Sequence, residues 1–514
     1  MIEQKKHKRI SLQITSFLFV FIIFSIVLLG YYGSAIAGEK ENPRFVKINY
    51  DKLQKEADLI GNPSALITEK AESVFVLTYH VVSKNAPKDD YEISHNQFKE
   101  NMFALKRLGY QTVSLGDLYL FLDGQKELPD KSFLITFDDG AKTSFYNVDP
   151  ILQVLNYTAV MFIITASSLE ELQSPYYLNE SELIKVQATG RWELESHTHK
   201  SHFKFKTQGH IEEVPALTNK LWFIEQNRSE TDEEFFTRVS DDLKRAKMLL
   251  ETKLNKEITS FALPFGDFGD NNNYAQARDI VKDLTTNMHK MVFYQFPMKG
   301  RLYKGNYIQK DRSSYLVTRF AADSFHTPES LLERIDGSRT ISLPYEEDYL
   351  NYNRWPRISG QASFRNQSMI LTPIEDSIFT YLDGSYSWKD YQYSIRLGNN
   401  GVSIVSLISR LDLENNYVSC QYTDENLSLV VLDKGDYKRL ISKEMPQNIT
   451  LSVDTYLSMS VSGQNVKCFI NGYELISMEV PNVASNGGVG LKAERFLSEN
   501  KTFIFKDITI KGMN

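Results

Sequence analysis

The chain has 514 residues, of which 42% are hydrophobic and 24% charged, so it is long enough to bury more than one core. Its net charge of -7 gives no overall basic surface of the kind that nucleic-acid binding requires, and we expect no nucleic-acid partner. Only two cysteines occur, Cys420 and Cys468, so a metal site in the first two thirds of the chain must use histidine and carboxylate ligands.

The N-terminus has the pattern of an export signal. A basic flank at 5–9 precedes an apolar run over about 17–32, and small residues follow up to Ala37. This order predicts a signal peptide or a membrane anchor over 1–37, with cleavage after Ala37 and retention both open. The basic flank stays inside, which places the rest of the protein at the extracellular face of the cell membrane or in the medium. The polar stretch 38–70 predicts a linker.

From residue 71 onward, short apolar runs alternate with helical patterns. Apolar runs occupy 74–78, 133–136, 160–165 and 258–263, and helical periodicity occupies 95–108 and 233–253. Such alternation is typical of βα units around a parallel sheet or barrel. The sequence therefore predicts a first domain of this kind over 71–343.

Three polar segments interrupt these apolar runs. The run 133–136 ends in Asp138 and Asp139, a pair that also fits an ordinary turn after a strand. The segment 195–202 holds three of the nine histidines, a density that a metal site explains most simply because imidazole is a common metal ligand. The run 258–263 passes into a Pro-Phe-Gly turn at 264–266, which by itself indicates only a loop.

Together with Leu77-Thr78-Tyr79-His80, these segments resemble the NodB-like polysaccharide deacetylases, and within them the biofilm-matrix poly-N-acetylglucosamine deacetylases. The resemblance covers about 74–335. Many relatives space the two ligand histidines by four residues, whereas here the spacing is five, as in the matrix branch. The resemblance implies a distorted (β/α) barrel that hydrolyses N-acetyl groups on an exported amino-sugar polysaccharide and releases acetate.

The resemblance also implies a metal site. Asp139, His197 and His202 match the family's ligands for a divalent metal, for which zinc is expected and cobalt, nickel or manganese are alternatives. Asp138 matches the base that takes a proton from the attacking water, and His80 matches the acid that protonates the departing nitrogen.

One side of the site departs from the family pattern. Many members carry an arginine two residues before the proline of the third segment, where it orients the base, but this chain has Ala262. We predict that Arg312 replaces it, with a surface ion pair as the alternative. Pro264, Phe265 and Gly266 match the family's substrate-binding turn. His326 is a rival of His80 as the acid.

From residue 344 the pattern changes to short β segments separated by Asn and Gly turns, which predicts an antiparallel β-sandwich (jelly roll) over 344–514. This region resembles concanavalin-like or laminin-G-like domains, many of which bind sugars, and a purely structural role is the alternative. Cys420 and Cys468 lie on predicted strands. A disulfide between them and two buried thiols both remain open.

These observations define the expected partners and the rival functions. The expected partners are a polysaccharide substrate, the cell membrane through the N-terminal segment, and a polysaccharide synthase or export machinery. One rival is an O-acetyl (xylan-type) esterase, because the same attack cleaves esters. The other is a non-catalytic polysaccharide-binding scaffold, which the presence of both aspartates and both ligand histidines disfavours.

Overall fold

The computed structural model describes much of the chain from residue 43 to residue 513. It leaves out 171–173, 208–212, 268, 270–271, 296–305, 309–315, 325–326, 338, 351–353, 357–359, 374–376, 399–403, 413–415, 434, 448, 450, 482 and 495–501. The predicted signal or anchor at 1–37 lies outside the described residues. Among the residues that are described, no helix has the length and apolar character needed to cross a membrane.

The first two thirds of the chain form a mixed α/β unit. Its described strands are β1 (Ser73–Tyr79), β2 (Val81–Ser83), β3 (Glu92–Ser94), β4 (Gln111–Thr112), β5 (Ser132–Phe137), β6 (Ala159–Ile163), β7 (Trp192–Ser196), β8 (Lys204–Phe205), β9 (Val214–Pro215), β10 (Trp222–Phe223), β11 (Arg228–Ser229), β12 (Ser260–Ala262), β13 (Met291–Gln295), β14 (Asn306–Tyr307) and β15 (Leu316–Ala321). Its described helices are α1 (Tyr50–Asp58), α2 (His95–Arg107), α3 (Leu115–Leu122), α4 (Lys142–Tyr146), α5 (Asp149–Leu155), α6 (Thr165–Leu169), α7 (Glu180–Ala188), α8 (Asp232–Leu254), α9 (Ala277–Met288) and α10 (Pro328–Gly337).

Seven of these strands close into a parallel barrel. Around the ring they follow the order β1, β15, β13, β12, β7, β6 and β5, and β5 pairs again with β1. Strand β4 extends the sheet beside β5, and β14 pairs antiparallel with the start of β1. The predicted (β/α) barrel is confirmed.

The side chains of each barrel strand alternate between two environments. On β1, Phe75 and Leu77 contact the helices outside, whereas Val74 and Val76 belong to a second apolar cluster with residues such as Leu134 of β5. The same alternation puts polar side chains inward at the carboxyl ends of the strands, where the apolar filling stops. The barrel therefore has an apolar base and a polar mouth.

Part of the predicted linker at 38–70 forms helix α1. Asn49 caps this helix, and its Leu53 and Ala57 are buried in the outer core of the barrel. The polar surface of the segment hides two apolar positions four residues apart, which is enough to hold a short helix on the barrel. At least residues 50–58 therefore pack with the barrel instead of extending away from it.

The last third of the chain is built from antiparallel strands. They are β16 (Tyr345–Glu346), β17 (Gln361–Phe364), β18 (Met369–Thr372), β19 (Ser377–Tyr381), β20 (Tyr391–Leu397), β21 (Ile404–Leu411), β22 (Tyr417–Tyr422), β23 (Asn426–Asp433), β24 (Asp436–Glu444), β25 (Tyr456–Ser462), β26 (Asn465–Ile470), β27 (Tyr473–Glu479), β28 (Gly488–Glu494) and β29 (Phe503–Gly512). One sheet has the order β17-β18-β29-β20-β25-β26-β27, with β16 beside β29, and the other has the order β19-β28-β21-β22-β23-β24.

The two sheets enclose one apolar core, as the predicted β-sandwich requires, and the prediction is confirmed. Cys420 on β22 and Cys468 on β26 belong to different sheets and form a disulfide, with their Cα atoms 5.8 Å apart. The bond therefore ties the two layers of the sandwich to each other.

The sandwich contacts the barrel at the amino-terminal ends of the barrel strands. Arg339, in the connection between the domains, donates to both carboxylate oxygens of Asp130, just before β5, at 2.6 Å each. The Tyr307 hydroxyl on β14 donates to the carbonyl of Tyr386 at 3.1 Å, and the side-chain amide of Asn486 donates to that hydroxyl at 2.9 Å. The polar mouth is at the other end of the barrel.

Candidate active site

The polar mouth begins with a layer of hydroxyl groups inside the barrel. Thr78 on β1 and Thr136 on β5 face each other with their hydroxyl oxygens 2.9 Å apart. Arg319 on β15 donates to the Thr136 hydroxyl at 3.3 Å, and its guanidinium lies 5.4 Å above the ring of Phe162. This layer is buried, and it supports the charged groups that follow each strand.

Asp138 and Arg319 form a buried ion pair at the end of β5. The two terminal nitrogens of Arg319 donate to the two carboxylate oxygens of Asp138 at 2.7 and 2.8 Å. Burial by itself raises the pKa of Asp138, but the charge and hydrogen bonds of Arg319, with the charges of His197 and His80, hold that pKa well below its usual range. Asp138 is therefore ionised at every ordinary pH.

Arg319 was not predicted from the sequence. The predicted Arg312 lies outside the described residues, so its role stays a prediction. A signal for Arg319 existed, because Leu316-Val317-Thr318-Arg319-Phe320-Ala321 is a strand-like run with one charge in its interior. A charge at an inward position of a barrel strand needs an opposite charge, and Asp138 is the carboxylate that receives it.

Asp139, His197 and His202 lie together beside Asp138. Each offers one ligand atom, and these atoms all lie within 4.8 Å of one another; among the described residues this is the cluster of metal-ligand type. The Nε2 atoms of His197 and His202 lie 3.6 and 3.3 Å from Oδ1 of Asp139. With zinc bonds of 2.0–2.1 Å, two ligands of a tetrahedral ion are about 3.3 Å apart, so this donor set fits zinc.

Neighbouring groups orient the loops that carry Asp139 and His197. The Nδ1 atom of His197 lies 2.8 Å from the carbonyl oxygen of Ala262 on β12, which directs its Nε2 toward Asp139. Asp139 and Thr198 both have positive φ, 73° and 70°. The chain therefore turns sharply just after β5 and again just after His197. Gly140 follows Asp139 with a φ of 83°, and a Cβ there would lie only 3.0 Å from the Ile163 side chain.

His80 and Asp323 form a second buried pair across the mouth. The Nδ1 of His80 lies 2.8 Å from Oδ2 of Asp323, and its Nε2 lies 3.9 Å from Oδ2 of Asp138. Burial lowers the pKa of His80, but the hydrogen bond and charge of Asp323, with Asp138 and Asp139, raise it to about 9. Burial also raises the pKa of Asp323, against the effect of His80, and the shared proton resides on His80. Asp323, like Arg319, was missed because β15 was not predicted.

The Pro264–Gly266 segment forms a short 3-10 turn after β12. Phe265 has a φ of 59°, and its ring centroid lies 4.6 Å from that of His202. A Cβ at Gly266 would come within 2.4 Å of the Gln295 side chain, so only glycine fits there. The predicted substrate-binding turn therefore borders His202, with Pro264 and Gly266 buried and Phe265 exposed.

His199 is the histidine of the segment 195–202 that does not belong to the group of Asp139, His197 and His202. Its Nδ1 lies 3.0 Å from the Thr165 hydroxyl, its backbone amide donates to Asp242 at 2.9 Å, and its Nε2 lies 3.6 Å from Glu170. These contacts turn it toward α6 and α8. His326, the predicted rival acid, lies outside the described residues.

Comparisons with known proteins agree with this arrangement. Residues 125–285 match a family model described as polysaccharide deacetylase, and this stretch contains Asp138, Asp139, His197 and His202. Over 203 residues the chain is 26% identical to the Escherichia coli (strain K12) protein named poly-beta-1,6-N-acetyl-D-glucosamine N-deacetylase, a match that covers 37% of this chain and 30% of that protein. It is 25% identical over 228 residues to the Staphylococcus aureus (strain MRSA252) protein of the same name, covering 42% of this chain and 72% of the relative.

Among solved structures, a de-N-acetylase from Aggregatibacter actinomycetemcomitans matches with 22% identity and a TM-score of 0.40. That match covers 48% of this chain and 94% of the other. The similarity to the Escherichia coli protein spans less than a third of that protein's length.

Proposed function

We propose, from the premise that this chain carries a domain of the polysaccharide deacetylase family, that the protein is a metal-dependent N-deacetylase of an exported poly-N-acetylglucosamine. The observation that carries the proposal is the position of His80 and Asp138, a protonated and an ionised group 3.9 Å apart beside Asp139, His197 and His202. Amide hydrolysis needs one group that accepts a proton and one that donates a proton at the same place.

The residues present would divide the reaction as follows. Asp139, His197 and His202 would hold a divalent cation, with zinc proposed, which when bound polarises the amide carbonyl and makes a water more acidic. Asp138 accepts the proton of the attacking water as the new C–O bond forms. Its ionised state is secured by Arg319, so no proton has to leave before the reaction starts.

His80 supplies the proton that the departing nitrogen needs. As the C–N bond breaks, the nitrogen takes up the proton from Nε2 of His80 and remains on the sugar as an amine, while acetate is released. The hydrogen bond from Nδ1 of His80 to Asp323 fixes the ring and keeps it protonated. A bound cation would lower the pKa of His80 by offsetting the charge of Asp139, which brings it nearer to neutral pH.

The disulfide supports the export part of the proposal. Disulfides persist in oxidising compartments, and the bond between Cys420 and Cys468 would be reduced in most cytosols. We therefore propose that the protein works outside the cytoplasm, attached to the membrane or secreted.

Acetate release tests the proposal. The full chain is incubated with oligomers of β-1,6-linked N-acetylglucosamine, of N-acetylgalactosamine and of O-acetylated xylose, with chelator and then with added Zn²⁺, Co²⁺, Ni²⁺ or Mn²⁺. We expect release from the glucosamine oligomers that stops with chelator and returns with metal. Asp138→Asn should lower the rate about 100-fold or more.

A matched control is Asp149→Asn. Asp149 also receives two hydrogen bonds from one arginine, Arg191, but it lies on α5 away from the mouth. This variant should keep full acetate release. Release from the xylose esters alone would replace the proposal with an esterase, and no release under any metal would reject it.

A further inference from the structure

The segment from His197 to His202 turns back on itself beside β7. His197 is the first residue after β7 and His202 comes five residues later, yet their ring centroids lie 4.8 Å apart. Residues 197–203 belong to neither a strand nor a helix, so their backbone amides and carbonyls need partners from other elements. The position of His202 therefore depends on what holds this loop.

Helix α6 holds the loop through its carbonyls. The backbone amide of Thr165 donates to the carbonyl of Thr198 at 3.1 Å, and the amide of Ala166 donates to the carbonyl of His199 at 3.4 Å. The first amides of a helix have no acceptor within the helix, which leaves these two available. One side of the loop is thus fixed to the start of α6.

Asp242 on α8 holds the loop through its amides. The amide of His199 donates to Oδ2 of Asp242 at 2.9 Å, and the amide of Lys200 donates to Oδ1 at 2.7 Å. Asp242 is buried, and a carboxylate is a stronger acceptor than a neutral group. Its neighbour Asp241 is exposed. The two oxygens of one carboxylate therefore fix two consecutive residues of the loop against a second helix.

His197 and His202 are held in different ways. The Nδ1 of His197 lies 2.8 Å from the carbonyl oxygen of Ala262, so β12 orients this ring directly. His202 lies two residues beyond the second amide that Asp242 fixes, at the end of the loop. A shift of the loop therefore moves His202 while His197 stays in place.

We propose that Asp242 is a positioning residue, which through the loop holds His202 where a divalent cation bound by Asp139 and His197 can reach it. This inference rests on the metal site of the proposed function. Four residues separate the two histidines, and α6 and Asp242 bind the backbone of three of them. Zinc–nitrogen bonds keep to about 2.0–2.1 Å, so a loop displaced by about 1 Å takes its histidine out of bonding distance.

Zn²⁺ titration calorimetry on the full chain tests this role. We expect the affinity to fall about 10- to 100-fold in Asp242→Ala, the usual effect of removing a group that orients a metal-binding residue. Asp242→Asn keeps one acceptor oxygen and should lose less. Asp241→Ala removes an equal charge from the exposed neighbour and is the matched control, which should bind Zn²⁺ as the wild type does. The visible spectrum of the Co²⁺-loaded protein reports the geometry around the ion, and it should change in Asp242→Ala but not in Asp241→Ala.

Hydrogen exchange in the presence of chelator shows whether the loop itself is released. Peptides that cover 197–203 should take up two deuterons about 10-fold or more faster in Asp242→Ala than in the wild type, since the amides of His199 and Lys200 lose their acceptor. Peptides from β1 and from the sandwich should exchange equally in both, which shows that the variant is folded. If Asp242→Ala does not fold, Asp242→Asn is compared in its place.

Neither measurement depends on acetate release, so this inference and the proposed function can fail separately. Faster exchange together with weaker Zn²⁺ binding supports the inference even if the wild type releases no acetate. Faster exchange with unchanged Zn²⁺ affinity would reject it, because the position of His202 would then not depend on the loop. Unchanged exchange, an equal loss of affinity in Asp241→Ala, or a wild type that binds no Zn²⁺ would also reject it.

Discussion

Replacing Arg319 by methionine should destabilise the barrel in a way that depends on pH. Both partners of the Arg319–Asp138 pair are buried, with 0% and 3% of their side chains exposed. Two unit charges about 4 Å apart at an effective dielectric constant of about 20 attract each other by about 4 kcal/mol, and breaking a buried pair costs about 3–5 kcal/mol. We expect a loss of about 4 kcal/mol at pH 8.

The sign of the pH dependence follows from the protonation of Asp138. In the wild type the folded pKa of Asp138 lies below its unfolded value, so the pair contributes fully above about pH 4 and is lost as the pH falls below that. In Arg319→Met the buried carboxyl has no partner, its folded pKa rises above the unfolded value, and the variant loses stability as the pH rises. A difference of about 4 kcal/mol equals about 3 pH units, so the defect should grow between about pH 4 and pH 7.

Urea unfolding at a series of pH values measures the free energy of unfolding of Arg319→Met and of the wild type. A chelator is present so that metal release does not contribute to the difference. Arg410→Met is the matched control, because Arg410 is also buried but its carboxylate partner Asp390 is 43% exposed and 3.6 Å away. The defect of this control should lie in the sandwich and stay constant from pH 4.5 to pH 8. A defect of Arg319→Met that is equally constant would refute the assignment of a buried, ionised Asp138.

Three further predictions concern the ligands, the acid and the sandwich. His202→Ala should weaken Zn²⁺ binding at least about 100-fold in calorimetric titration, since one of three ligand atoms is removed. Asp323→Asn should move the basic limb of the kcat profile down by about one pH unit or more, because His80 must keep its proton to act and loses the charge that raises its pKa to about 9. Replacing Cys420 and Cys468 by serine should cost the sandwich about 4 kcal/mol in urea unfolding, from the 48-residue separation that the bond closes.

Each of these predictions has its own contradicting result. His199→Ala is the control for the ligand prediction, since His199 bonds Thr165 and not the ligand group, and a similar loss of Zn²⁺ affinity in both variants would contradict it. An unchanged basic limb in Asp323→Asn would show that a group other than His80 sets it. A serine double variant that unfolds the barrel and the sandwich equally would contradict a bond that acts within the sandwich.

The sequence predicted those site residues that directly follow a strand-like segment. Asp138 and Asp139 follow the apolar run 133–136, which lies in β5, so both could be placed at a strand end without knowing the fold. The density of histidines over 195–202 singled out the segment at the end of β7. The resemblance to a family then supplied the roles that spacing alone leaves open. His202 depends on this most, because it lies in a loop.

The missed residues share one cause. Arg319 lies on β15, and Asp323 follows the end of that strand. Strand β15 pairs with β1 only when the barrel closes, across more than 230 residues of sequence. Local patterns carry no information about which distant strands become neighbours. An arginine from another strand, Arg319, pairs with Asp138 in this chain, which has Ala262 where many relatives have an arginine. Nothing local distinguishes Arg312 from Arg319 before the ring is closed.

The sandwich is attached at the amino-terminal ends of the barrel strands, so the loops at the mouth and the sandwich can change independently in evolution. Loops at the mouth can lengthen or shorten to suit a different polymer without meeting the sandwich, and the sandwich can diverge or be exchanged for another module while β1, β5 and β15 keep their register. A designer who fuses a new targeting domain after residue 343 keeps the ion pair of Arg339 with Asp130 and can leave the loops at the mouth as they are. The new domain has to supply partners for Tyr307, because those partners lie in the sandwich.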